Sequence, residues 1–464
     1  MSALLVKGGL AVTYGAETFC DILCEDGIIT RIGKDIFPEA GQNVEVIDAA
    51  GKIVIPGGVD AHTHFNIDVG IAASCDDFYS GTVAAACGGT TTVIDHPGFG
   101  PAGCDLDHQI TKYHGLAEGK AVIDYGFHGV IQHVDAKVLS MMEKLAGEGI
   151  TSFKLYLTYG YKLNDGDVLK VLRRAKDLNL LTAVHAENDG VIALLRDEFR
   201  KAGKTSPACH PLSRPAECEA EAVSRMILFA RMAGDAPLYI VHLSSALGLE
   251  FAKAAKKRGQ KNLFLETCPQ YMLLDESYYS LPGDEGLKFI MCPPLRPVAD
   301  KEALLKALEK DIDVVATDHC SFTFEDQKMA GKDDFAKCPS GAPGAGERIP
   351  LMYNEAAAGR ISLKRFTDLC CANPARLFGV YPQKGVIAIG SDADLVIIDP
   401  EKRAAIAKGL IRGNAGYSAY EGMNVKGWPV IVISRGEVIA RDGEFSGKAG
   451  RGKFLKRKLY SPPF

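Results

Sequence analysis

Between residue 56 and about residue 377, short apolar runs alternate with stretches of helical spacing. Eight such runs can be counted: 59–64, 91–96, 122–128, 152–157, 181–187, 238–244, 263–267 and 313–318. Strands buried on both faces read as continuous apolar runs, and parallel sheets with crossover helices are built from such strands. Residues 167–177 carry apolar positions at helical spacing, and Ser213 with Pro215 opens a second helix that runs to residue 232. Eight strand-helix units predict an α/β fold, a (β/α)8 barrel, which takes about 250 residues plus insertions.

The two ends of the chain have a different texture. Residues 4–7, 20–25 and 28–32, around the Asp26-Gly27 turn, read as short strands. The far end repeats this with apolar runs at 394–398 and 429–434, the Arg435-Gly436 turn, and a returning strand at 437–440. The ends are therefore expected to pair as one smaller β-sandwich domain, from 1–56 and 382–464 with a C-terminal tail, around a barrel at 57–381. A chain of 464 residues is long enough for one large and one small domain.

Charge and composition mainly exclude. A formal net charge of −5 leaves no basic stripe, so nucleic acid is not an expected partner. The basic residues Lys453, Lys456, Arg457 and Lys458 read as a solvated tail or a subunit contact. No apolar run has membrane-spanning length, and residues 1–10 have a strand pattern in place of a signal peptide. The 13 cysteines are odd in number and lack Cys-x-x-Cys spacing, which suits reduced, buried thiols in a cytoplasmic protein.

The polar residues of the eight runs are concentrated. His62, His64, Lys154, His185, His242 and Asp318 fall at or near the C-terminal ends of strands one, four, five, six and eight, the face where barrels of this kind carry their chemistry. His62 and His64 are two apart, so on a strand both imidazoles point the same way and can share one ion. His185 and His242 each interrupt an apolar run, where an unpaired imidazole is costly. A single such histidine reads best as structural; four together read as metal ligands. His96, His128 and His133 fit an ordinary buried role, and His108, His114 and His210 read as loop or helix-surface residues.

Lys154 lies within an apolar strand, where burial lowers an amine's pKa. A neutral amine can add carbon dioxide, and the resulting carbamate (N6-carboxylysine) is an anionic ligand able to bridge two cations that neutral histidines leave uncompensated. Asp318 can bind one ion and also take a proton from a water that two cations acidify. Tyr159, five residues beyond Lys154, can donate to the oxyanion of a tetrahedral intermediate or serve as a rim aromatic. Zinc suits these donors, with manganese or cobalt as alternatives.

The segment Gly57-Gly58-Val59-Asp60-Ala61-His62-Thr63-His64, the Lys154 strand and Asp318 resemble the cyclic amidohydrolases of the D-hydantoinase and dihydropyrimidinase family. Within it, Phe65-Asn66-Ile67-Asp68-Val69-Gly70, residues 152–165 and Ser213-Arg214-Pro215 look most like the bacterial phenylhydantoinases, and Gly390-Ser391-Asp392-Ala393-Asp394-Leu395-Val396 extends the likeness to the small domain. The resemblance implies one metal on His62, His64, Lys154 and Asp318, a second on Lys154, His185 and His242, Tyr159 as the oxyanion donor, and a homotetramer. It also implies contact of Ile67, Tyr156 and Leu163 with the substituent of a small cyclic amide. Cys292 and Ser340 occupy ring-binding positions where many relatives have Ser and Asn. The activity implied is hydrolysis of 5-substituted hydantoins or dihydropyrimidines to N-carbamoyl amino acids. The alternatives are an allantoinase-like hydrolase of cyclic ureides and a non-catalytic assembly protein related to dihydropyrimidinase. Asn66 stands where dihydroorotases usually carry Arg.

Overall fold

The computed structural model describes residues 3–13, 16–38 and 43–462. The strand pattern expected at Met1 and Ser2 and the last two residues of the expected tail lie outside them. Five strands open the chain: β1 (Ala3–Thr13), β2 (Ala16–Glu25), β3 (Ile28–Gly33), β4 (Val44–Asp48) and β5 (Ile53–Pro56). Nine follow in the middle: β6 (Gly58–Thr63), β7 (Thr90–Asp95), β8 (Asp124–Phe127), β9 (Gly129–Val130), β10 (Ser152–Tyr156), β11 (Leu181–His185), β12 (Leu238–Ile240), β13 (Leu263–Thr267) and β14 (Val314–Val315). The last four are β15 (Leu395–Ala405), β16 (Asn424–Ser434), β17 (Glu437–Arg441) and β18 (Glu444–Phe445).

Strands from both ends join one sheet in the order β18-β17-β16-β15-β5-β1-β2-β3, with β4 added beside β1. The seam is antiparallel, Leu395 opposite Pro56 and Ile397 opposite Val54. Asp26 and Gly27, with φ of 49° and 85°, make the tight turn their sequence announces. Leu4, Ile22, Ile29, Val54, Ile397 and Ile433 share one apolar core, so neither end could bury its strands alone.

The middle strands are all parallel and form two arcs, β6-β7-β8 and β9 through β14. His128 alone separates β8 from β9, so the third expected strand is built but broken there. Its ring donates to the Ala61 carbonyl at 3.0 Å and pairs with Ser152 Oγ at 2.7 Å. The arcs close between β6 and β14, where Thr63 bridges His319 and the His64 N–H donates to the His319 carbonyl at 2.8 Å. Arg348, fully buried, ties the same seam by donating to the carbonyls of Val59 and Val315 at 3.1 and 3.0 Å. The chain thus has a (β/α)8 barrel and a separate sheet built from both ends.

The helices follow their signals. One spans Asp165–Asp177, with the Asn164 side chain accepting from the Asp167 N–H and Val168, Val171, Leu172 and Ala175 on the buried face. Another spans Ala216–Met232, directly after Pro215. Three strand expectations were too long, the run 181–187 ending as a strand at His185. β12 stops at Ile240 and β14 at Val315, because His242 and Asp318 just beyond adopt φ of 40° and 53°, which a ladder cannot continue.

The C-terminal basic cluster needs correction. Lys453, Lys456 and Lys458 are exposed, but Arg457 between them is buried, donating to Ser152 Oγ at 2.9 Å and to the Phe127 carbonyl. The segment bonds Tyr125, Gly149, Gly379 and Asn179 through its backbone, so it is fastened across the N-terminal end of the barrel. Among the described residues no helix is long and apolar enough to cross a membrane.

Candidate active site

The C-terminal ends of the barrel strands surround a cavity of about 660 Å³, lined by His62, His64, Lys154, His185, His242 and Asp318 among others. Ligand atoms of His62, His64 and Asp318 lie within 4.8 Å of one another, the spacing a shared ion requires. Asp318 Oδ1 is 3.1 Å from His62 Nε2 and 3.2 Å from His64 Nε2. His185 and His242 stand opposite, their ring centroids 4.5 Å apart, and the His242 ring stacks against His62 at 5.4 Å.

Hydrogen bonds behind the rings fix which nitrogen faces inward. His62 Nδ1 donates to Glu266 Oε1 at 2.6 Å, and His64 Nδ1 to the His96 carbonyl at 3.3 Å, leaving each Nε2 with its lone pair. His185 donates from Nε2 to Glu187 at 2.6 Å, leaving Nδ1. Glu266 also accepts from the His242 N–H and the Tyr239 hydroxyl, both at 2.8 Å. Burial, reinforced by the Lys154 charge, holds His62 well below the ordinary imidazole range, and burial does the same for His242. Neutral, oriented imidazoles are what a divalent cation binds. His62 Nε2 and His242 Nδ1 have no hydrogen-bond partner although both are buried, so the site fits metal ions better than it fits itself.

Lys154 is buried, and burial lowers its ammonium to about 8. Among the described residues no carboxylate comes within ion-pair distance of its Nζ. Burial opposes ionisation of Asp318, but His62 and His64 outweigh it and hold the carboxyl below its usual range. Tyr159, with φ of 72°, is about one-third exposed at the mouth, 5.1 Å from the His185 ring.

Ile67, Tyr156, Cys292 and Ser340 also line the cavity. Leu163 does not: its N–H bonds the Tyr156 carbonyl at 3.0 Å, and its side chain turns into the apolar core, so it supports the Tyr156 loop from behind. His210 is not a surface residue either. It is buried and its Nε2 donates to the Met291 carbonyl at 2.8 Å, which secures the segment carrying Cys292.

Several residues at the site escaped the sequence reading. Glu266 orients the His62 ring and holds the His242 backbone, Glu187 links His185 to Arg214, and Phe99 and Tyr161 complete an aromatic wall with Tyr156, the Tyr156 and Tyr161 ring centroids each 4.9 Å from that of Phe99. Glu266 was readable as a carboxylate inside the apolar run 263–267, the signal that marked Asp318. Phe99 and Tyr161 carried no such signal.

A model of the amidohydrolase family matches residues 53–439. A D-phenylhydantoinase from Escherichia coli is 53% identical over 462 residues, covering 99% of each chain. The solved dihydropyrimidinase of Brevibacillus agri matches with a TM-score of 0.96 at 38% identity over 99% of each chain. An L-hydantoinase of Arthrobacter aurescens matches with a TM-score of 0.88 at 31% identity, over 98% of this chain and 99% of its own.

Proposed function

This chain belongs to the amidohydrolase family and is a hydantoinase- or dihydropyrimidinase-type enzyme, and from that premise we propose that it opens 5-substituted hydantoins or dihydropyrimidines to N-carbamoyl amino acids with two divalent ions per subunit. His62, His64, Lys154 and Asp318 would hold one ion, and Lys154, His185 and His242 the other, with Lys154 carboxylated; zinc is the metal we favour. When bound, the ions supply a water acidic enough to attack near neutral pH and a Lewis acid for the ring carbonyl.

The chain's own part follows from the geometry. Asp318, ionised and open to the cavity, accepts the proton of the attacking water. Tyr159 donates its hydroxyl to the oxygen that becomes negative as the carbonyl carbon turns tetrahedral. The C–N bond then breaks, the proton returns from Asp318 to the ring nitrogen, and a carboxylate and a ureide result. Tyr159→Phe is expected to keep its metal content while kcat falls about 100- to 1,000-fold, the usual cost of one oxyanion donor. Unchanged turnover would reduce Tyr159 to rim packing.

The observation that carries the substrate reading is the wall of Ile67, Phe99, Tyr156 and Tyr161 beside the histidines. An apolar wall of this kind accepts a bulky 5-substituent. 5-Phenylhydantoin is therefore expected to be opened at least as well as dihydrouracil, followed by loss of ring absorbance. Rapid opening of dihydrouracil with none of 5-phenylhydantoin would overturn this choice.

The same proposal includes domain limits at 1–56, 57–381 and 382–464, and a cytoplasmic homotetramer. The 13 free cysteines support a reducing compartment, and exposed Leu228, Met232 and Phe251 on adjacent helices support association of copies.

A further inference from the structure

Tyr159 has a backbone that its own side chain does not explain. Its φ of 72° is a left-handed conformation that a bulky residue keeps only where its surroundings hold it. Among the described residues its hydroxyl has no hydrogen-bond partner, so contacts to the ring must set its direction. The loop is fastened on either side to Asp189, by the Thr158 hydroxyl at 2.9 Å and by the Lys162 ammonium, which fixes where the ring starts and not where it points. Three side chains surround the ring. Tyr156 and His185 lie 5.9 and 5.1 Å away between ring centroids, both edge-on, and the Arg214 guanidinium carbon lies over it at 5.8 Å from its centroid. Of the three, only Arg214 is unused by the chemistry above.

Arg214 is buried in the cavity wall. Its main chain is held from both sides: the N–H donates to the Pro211 carbonyl at 3.1 Å, and the carbonyl accepts from the Arg296 guanidinium. Its Nη1 donates to Glu187 Oε2, the same oxygen that accepts from His185 Nε2 at 2.6 Å. The contacts therefore close on themselves, from Tyr159 to Arg214, to Glu187, to His185 and back to Tyr159. A buried guanidinium carries a desolvation cost that one carboxylate oxygen offsets only in part. Its Nε and Nη2 have no protein acceptor among the described residues, which leaves the Tyr159 ring as its second electrostatic partner.

We propose that Arg214 is a positioning residue for the oxyanion donor: anchored on Glu187, it holds the Tyr159 ring against His185, so that the hydroxyl is in place before the carbonyl carbon turns tetrahedral. This rests on the cyclic-amide reading, in which Tyr159 donates to the oxyanion, and deepens it. A donor placed in advance stabilises the transition state without reorganising, so the contribution belongs to kcat and not to substrate binding. The shared Glu187 oxygen also ties the place of the donor to that of His185, a ligand in the proposed metal site.

The test is Arg214→Gln, which keeps an amide donor for Glu187 and removes the cation, made both in the wild-type protein and in Tyr159→Phe. With 5-phenylhydantoin, kcat of the single variant is expected to fall about tenfold, the worth of one desolvated cation–ring contact, with KM and metal per chain unchanged. In the Tyr159→Phe background the same substitution should change kcat by less than about twofold, because a residue that acts only through the hydroxyl has nothing left to place. An equal fall in both backgrounds, an unchanged kcat, a rise in KM alone, or lost metal would overturn the proposal. Arg214→Lys keeps a charge for Glu187 but not the planar cation, so it should show a smaller fall with the same dependence on Tyr159. It serves if the Gln variant does not fold; failure of both to fold would make Arg214 a folding residue and overturn the proposal. A wild-type protein that opens no hydantoin would instead remove the cyclic-amide reading, and this inference with it.

Discussion

Lys154→Ala is expected to lose at least one of two divalent ions per chain and to fall in turnover by on the order of a thousandfold or more, to background. The ligand set explains the size of the effect. The imidazoles are neutral, so in a two-metal site they contribute donors but no charge, and Asp318 alone cannot balance two cations. An ammonium at position 154 would add a third cation. Only after the neutral amine takes up carbon dioxide, releasing a proton, does this position supply oxygen donors and a negative charge together. Burial already brings Lys154 to about 8, so the neutral form is within reach near physiological pH. Lys154→Arg should fail equally, because a guanidinium stays protonated and forms no carbamate. Acetate or propionate added to Lys154→Ala should restore part of the metal and activity by filling the vacated volume. Elemental analysis and electron density beyond Nζ are the direct measurements. An unmodified Nζ in a metal-loaded, active protein would sink this mechanism.

The barrel was legible because its strands are buried on both faces and so read as apolar runs, and the histidines were legible because each breaks such a run. Where the reading overreached, the cause was local. Residues 238–244 and 313–318 look like unbroken strands, yet His242 and Asp318 leave the ladder in left-handed backbone, a conformation the side chain's identity does not announce. Leu163 has the apolar character of a pocket residue, but only the turn that bonds its N–H to the Tyr156 carbonyl decides which way it points. Arg457 carries a charge that sequence assigns to solvent; it is buried because Ser152 Oγ and the Phe127 carbonyl supply acceptors from distant parts of the chain. Lys328 is the same case, buried because the carbonyls of Ile290, Pro339 and Gly341, from two separate segments, supply its acceptors. Long-range acceptors for single cations are what a pattern of apolar and polar positions does not encode.

Asp318→Asn is expected to retain the fold and to lose turnover by about 10⁴-fold, in the range seen when one member of a catalytic unit is removed. The substitution is nearly isosteric, so an amide oxygen can remain near His62 and His64, where Oδ1 now lies 3.1 and 3.2 Å away. What disappears is the negative charge and the basic oxygen. Against the opposing effect of burial, the Asp318 carboxyl lies below its usual range, so it is ionised at neutral pH and carries the lone pairs that a proton needs. A carboxamide can do neither. Metal content should fall only partly, because the histidines and Lys154 remain. The two variants are separated by rescue: acetate has a vacated volume to enter in Lys154→Ala and none in Asp318→Asn, so a short carboxylate should restore the first and leave the second inactive. Restoration of both by acetate would mean that Asp318 acts only as a source of charge, and the proton transfer would have to be assigned to another group.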